Sequence, residues 1–198
     1  MPAPPWTLTG HGLIAVYLPA PDAALGALML LRYAGSPVGP YDELLWVEAG
    51  RASPAGPRPR VRSIVVSTPG SMVWGRRNWG LPKRLARFEW EGDAQRGQVR
   101  VTGEDGQLTA HLAFRTGGLC LPVTTALMPA ALRTLAQPPL PGEEDWRLAR
   151  VGASGHVTPA RLTVLHAGGL YPPLIHARPR LTLGQPDFRL VFPVPERA

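Results

Sequence analysis

Lysine is almost missing from this chain: of its 21 basic residues in 198, 20 are Arg and only one, Lys83, is Lys. Cysteine is equally scarce, and a lone Cys120 excludes an internal disulfide and any multi-cysteine zinc site. Long apolar runs are missing as well. The longest, around residues 13–17 and 25–31, fall well short of the ~20 residues that cross a bilayer. No basic side chain precedes Arg32, so the charged start of a secretory signal is not found, and the expected setting is cytoplasmic with no membrane partner. Acidic residues are absent from residues 49–88, where Arg51, Arg58, Arg60, Arg62, Arg76, Arg77, Lys83, Arg84 and Arg87 supply nine positive charges. The remainder holds 12 basic and 14 acidic residues, so this one segment carries the whole net charge of +7. No helix-turn-helix, zinc or RNP-type aromatic pattern accompanies the charge, which argues against nucleic acid as the partner.

What the chain does contain is 44% hydrophobic residues, 24 Pro and 22 Gly, the composition of a globular protein built from short elements and many turns. It has no internal period. Apolar runs at residues 12–18 and 25–33 read as buried strands, with PAPD at 19–22 as the turn between them. Arg58, Arg60 and Arg62 alternate and lead into a strand through Ile64, Val65 and Val66. Residues 71–78 read as a short helix, with Ser71 as N-cap and Met72 and Trp74 turned inward. Three alternating runs at 87–91, 98–102 and 108–115, separated by GDAQRG and GEDGQ, form a β-meander pattern. Further strands are expected at 146–151, 162–166 and 188–192. The expected class is α+β and mostly β: a single domain over residues 1–198, a β-barrel with a few short helices.

Two strings go beyond composition: SPVGPYDEL at residues 36–44 and GRRNWGLPKRLA at residues 75–86. In order and spacing they resemble the acetoacetate decarboxylase family, in which SGxGxYxE is followed by GRE, a short spacer and PKK. The resemblance implies that Lys83 is the Schiff-base lysine, that Arg84 stands for the second lysine, and that Glu43 is the active-site glutamate. Arg76 matches the Arg of GRE, while Arg77 replaces its Glu. His11 falls where the family places a carboxylate-handling Arg on its first strand, and Leu28 where it has a second glutamate. The implied function is a lyase that acts on a small oxo acid through a Lys83 imine, by decarboxylation or a related aldol or dehydration route. No cofactor is implied, and the chain is expected to assemble as a homo-oligomer. The competing reading is a non-catalytic barrel that binds a small carbonyl compound or organic acid.

The chemistry explains the residue types. An amine attacks a ketone to give an iminium, whose nitrogen draws electrons from a bond at the neighbouring carbon. The amine must first be neutral, a state that roughly one ordinary lysine in 2,500 has at pH 7. Desolvation can shift a lysine by up to about 3 to 5 units, against half a unit to two for a cation about 6 Å away. Burial is the larger lever, and the expectation is a pocket of Met72, Trp74, Trp79 and Leu81 around Lys83, assisted by neighbouring Arg. Trp79 is the tryptophan expected to touch ligand. Arg84 would point to the opposite face of an extended segment. Glu43 is expected on the substrate side, away from the amine, where a carboxylate does not favour the ammonium. The five histidines, His11, His111, His156, His166 and His176, show no metal-ligand spacing, and Cys120 reads as a small buried apolar residue.

Overall fold

Alternating apolar residues run through most of the chain, and they fold as strands. The computed structural model describes residues 2–19, 25–168, 174 and 177–198. Most of the expected turn at 19–22, and His176, lie outside the described residues. In chain order the elements are β1 (Trp6–Tyr17), β2 (Gly26–Gly35), β3 (Tyr41–Arg51), β4 (Arg58–Val66), α1 (Pro69–Trp79), β5 (Lys83–Gly92), β6 (Arg96–Gly103) and β7 (Leu108–Thr116). There follow β8 (Leu121–Thr124), a 3-10 turn (Thr125–Leu127), α2 (Ala130–Arg133), β9 (Thr134–Gln137), β10 (Arg147–Arg150), β11 (Gly152–Ala167), β12 (Leu181–Phe192) and β13 (Glu196–Arg197). The chain is mostly β, with two short α-helices among the described residues, in agreement with the class expected from the sequence.

One ten-stranded sheet runs β12-β1-β2-β3-β4-β5-β6-β7-β11-β8, and β9, β10 and β13 form a second, small one. The large sheet curls: β11 pairs with β12 through its first half and with β7 through its second, so the pairings lead back to the strand where they began. Strands are longer than the sequence runs suggest. The run at 12–18 belongs to a strand that begins at Trp6, and the one at 162–166 is part of the 16-residue β11. The PYDEL string opens β3, because Tyr41, Glu43 and Leu45 alternate with Leu44 and Trp46 and both sets are buried. The sheet therefore separates two cores. Leu31, Tyr33, Tyr41, Leu45 and Ile64 pack on one face with Trp6 and Trp79, while Leu28, Leu30, Leu44 and Trp46 pack on the other.

The one parallel pairing among the described residues, β4 with β5, needs a crossover, and α1 supplies it. Thr68, not Ser71, caps this helix: its backbone is extended and its hydroxyl accepts from the Ser71 N–H. The cap lies three residues earlier than expected because Pro69 is well suited to the first helical position. Gly80, in the left-handed conformation at φ 64°, ends the helix and turns the chain into β5. Ser71, Gly75 and Trp79, spaced four apart, are the buried stripe of α1.

Candidate active site

The crossover delivers the site. Lys83 is the first residue of β5, in register with Ile64 of β4, and the buried stripe of α1 lies across it. Gly75 allows this approach: a Cβ at that position would stand 2.7 Å from both Cδ and Cε of Lys83. Lys83 is 3% exposed and Glu43 5%, so both charges are withdrawn from water. Glu43 sits between Tyr41 and Leu45 on β3, opposite Val66 of β4 on one side and Leu31 of β2 on the other.

These placements bring four polar side chains together. Lys83 Nζ donates to Glu43 Oε2 at 2.7 Å and to Ser71 Oγ at 2.9 Å. Tyr33 donates its hydroxyl to the other carboxylate oxygen, Glu43 Oε1, at 3.0 Å. The Tyr41 ring takes the ammonium on its face, with Nζ 5.1 Å from the ring centroid. Burial, then the Glu43 charge, push the Tyr33 phenol well above its ordinary value of 10.0. The same two causes raise Tyr41, against a smaller opposing effect of its hydrogen bond with Ser71. Both phenols therefore remain protonated throughout the neutral range.

Lys83, Glu43, Tyr33 and Tyr41 border a cavity of about 340 Å³ with mostly apolar walls, among them Trp6, Met29, Leu45, Ile64, Trp79 and Leu81. Arg133 of α2, Gln185 of β12 and Thr125 of the 3-10 turn add polar atoms to the lining. Amine, carboxylate and phenol in mutual contact beside an apolar space can pass a proton without water and present a nucleophile to a carbonyl carbon.

Several sequence expectations are corrected by this geometry. Glu43 does not stand away from the amine but is its nearest charge, because β3 and β5 flank β4 and place both residues on one face. Trp79 and Leu81 line the cavity, whereas Met72 and Trp74 do not; they flank the buried stripe of α1, and Trp74 carries Arg77 on its ring. Of the nine cations between residues 49 and 88, only Lys83 reaches the cavity. Arg84 is exposed on the opposite face of β5, and Arg76 donates to the Lys83 carbonyl at 3.3 Å. His11 faces the other way, in a separate depression with Arg32 and Trp90, and Leu28 belongs to the second core. Cys120 is exposed, not buried. Tyr33, Tyr41, Ser71 and Gly75 were not singled out for the site by the sequence.

Among the described residues, no group of three or more His, Cys, Asp or Glu is placed to hold a metal, and no helix is long and apolar enough to cross a membrane. The curled, mostly β sheet has the acetoacetate decarboxylase-like fold. The chain matches acetoacetate decarboxylase from Legionella pneumophila subsp. pneumophila str. Philadelphia 1 with a TM-score of 0.66 and 16% identity, over 100% of this chain and 88% of that one. It matches the enduracididine biosynthesis enzyme MppR, complexed with the condensation product of pyruvate and imidazole 4-carboxaldehyde, with a TM-score of 0.67 and 15% identity over 100% and 90%. An acetoacetate decarboxylase-like enzyme from Sphingomonas wittichii RW1 matches at 0.63 and 12%, over 100% and 94%. No family model and no curated protein matches the sequence.

Proposed function

We propose that the protein is a Schiff-base-forming lyase that acts on an oxo acid through an imine at Lys83, by decarboxylation or by a related aldol or dehydration route. The observation that carries this reading is the contact of the only lysine with a buried carboxylate inside an apolar cavity. The fold adds weight, since similar structures include an acetoacetate decarboxylase and an enzyme holding a pyruvate condensation product.

Glu43 takes one proton from the Lys83 ammonium along the 2.7 Å contact, and the freed nitrogen lone pair attacks the substrate carbonyl carbon. Protonated Glu43 then gives its proton to the hydroxyl of the resulting carbinolamine, which leaves as water, and the iminium forms opposite a restored carboxylate. In a β-oxo acid the electrons of the bond to the carboxylate move into the iminium, carbon dioxide departs, and an enamine remains. A proton at the enamine carbon and one water molecule at the iminium carbon release the ketone and the amine. In an aldol or dehydration route the same iminium receives electrons from a different neighbouring bond. Tyr33 holds Glu43 in place throughout, and Ser71 aims the amine.

Carbonyl oxygen exchange tests the reading. A ketone or oxo acid that cycles through the imine exchanges its carbonyl oxygen with oxygen-18 water faster in the presence of the protein, and Lys83→Arg abolishes the acceleration. Equal exchange by the Lys83→Arg variant contradicts the proposal. Carbon dioxide release from acetoacetate then separates decarboxylation from the aldol route.

A further inference from the structure

The cavity contains a charge that the chemistry above does not use. Lys83 and Glu43 neutralise each other, but Arg133 also lines the cavity, and among the described residues no carboxylate pairs with it. Its Nε is buried and has no hydrogen-bond partner. A guanidinium carries five donors and stays protonated under all working conditions, so one held against apolar walls without a counter-charge is completed by an anion from outside. The anion in question is not supplied by neighbouring strands: the rest of the polar lining, Thr125, Gln185 and the two phenols, is uncharged.

Arg133 and the amine reach the cavity from different elements, α2 and β5. α2 packs on β4, which contributes Pro59, Val61 and Ile64 to the lining, and Lys83 is in register with Ile64. Met128 and Leu132, close to Arg133 in sequence, line the cavity yet are 42% and 58% exposed, so this segment forms its mouth. The lining also includes Met29, Leu45, Val61, Ile64 and Leu135, which offer surface to hydrocarbon and no polar group. A volume near 340 Å³ equals that of about eleven waters at ~30 Å³ each, more than the smallest oxo acids fill.

We infer that the substrate is an amphiphilic oxo acid: a carbonyl group for Lys83, an apolar body that covers the cavity wall, and a carboxylate that pairs with Arg133 and is distinct from any carboxylate expelled at the imine. Only the carbonyl part rests on the imine reading; the apolar body and the anion follow from the cavity itself. Arg133 lies on a different element from His11, the residue in the position of the family's carboxylate-handling Arg, and His11 faces the other core.

Octanoate, which has the body and the anion but no carbonyl, isolates this inference. Its binding is followed by the fluorescence of Trp6 and Trp79, both in the cavity lining, beside acetate and methyl octanoate as controls. Octanoate is expected to bind the native protein at least about tenfold more tightly than acetate. Arg133→Met is expected to weaken octanoate about tenfold or more and leave methyl octanoate unchanged, and Arg133→Lys to recover part of the loss. Absence of octanoate binding, equal binding of acetate, or an Arg133→Met variant that binds octanoate like the native protein overturns the inference. Carbonyl exchange at Lys83 is read separately. Lost exchange with Arg133-dependent octanoate binding intact contradicts only the imine, and the converse contradicts only the assignment of Arg133.

Discussion

Adding a single methyl group at Gly75 tests the geometry of the amine more sharply than removing the amine does. The new Cβ stands 2.7 Å from Cδ and Cε of Lys83 and 3.2 Å from Nζ. Carbon atoms settle at about 3.5–4.0 Å, so the lysine side chain has to withdraw by about 1 Å. A withdrawal of that size takes its contacts of 2.7 Å with Glu43 and 2.9 Å with Ser71 to or beyond the limit of a hydrogen bond. Misplacement of a reacting group by about 1 Å costs on the order of 10²-fold in rate. Stability moves much less. Alanine is favoured over glycine inside a helix by about 1 kcal/mol, which partly offsets an overpacking cost of about 1–3 kcal/mol. Gly75→Ala should therefore unfold in urea within about 2 kcal/mol of the native protein. Its rate of reductive trapping, measured with excess ketone and cyanoborohydride, should fall about a hundredfold. A folded Gly75→Ala variant that is trapped at the native rate would refute the placement of Lys83 across α1.

Four other outcomes are expected. Glu43→Gln, which removes the proton acceptor in contact with the amine, slows imine formation itself by about 10²–10⁴-fold in trapping assays, and an unchanged trapping rate contradicts its role. Tyr33→Phe leaves Glu43 Oε1 without its donor and lowers activity about tenfold; in the native protein the raised phenol gives no ionisation of Tyr33 in the activity profile up to about pH 10. Burial, then the Arg32 charge, hold the His11 imidazole below its ordinary 6.5, so the unfolded chain binds that proton more tightly. Stability from this source is present above pH 6.5 and is lost as the pH falls toward the folded value; His11→Gln flattens that part of a urea-melt profile. Leu112→Ala, in the second core on β7, costs about 2–5 kcal/mol in urea melts and leaves trapping by the folded protein unchanged.

Lys83 and Glu43 were legible in the sequence because each sits in a string with its own chemistry, and no other lysine competes for the role. Their contact was not legible. It depends on β4 lying between β3 and β5 and on the parallel register of Ile64 with Lys83, which no local pattern reports. Tyr33 reaches Glu43 only because β2 and β3 pair Tyr33 with Tyr41, which places both phenols on the face that carries the carboxylate. His11 shows the opposite failure. Side chains alternate along a strand, so an alignment one residue out moves a position to the other face, and His11 is directed to the core away from Lys83. The acid-free basic segment was counted correctly, yet its Arg side chains do not line the cavity, because long cationic side chains keep their heads in water when no buried anion calls for them. Arg133 carried no signal at all: it lies in the Pro-rich stretch between strands, and it reaches the cavity through the packing of α2 on β4, which no local pattern reports.

The central claim is a covalent imine at one residue. Incubation with acetoacetate or pyruvate and borohydride, followed by peptide mass analysis, reads it directly, since the chain has one lysine side chain to modify. The predicted result is a single reduced adduct on the peptide that contains Lys83, absent from the Lys83→Arg variant. An unmodified Lys83 peptide after incubation with both oxo acids, and with an eight-carbon oxo acid that fills the cavity, would contradict the account.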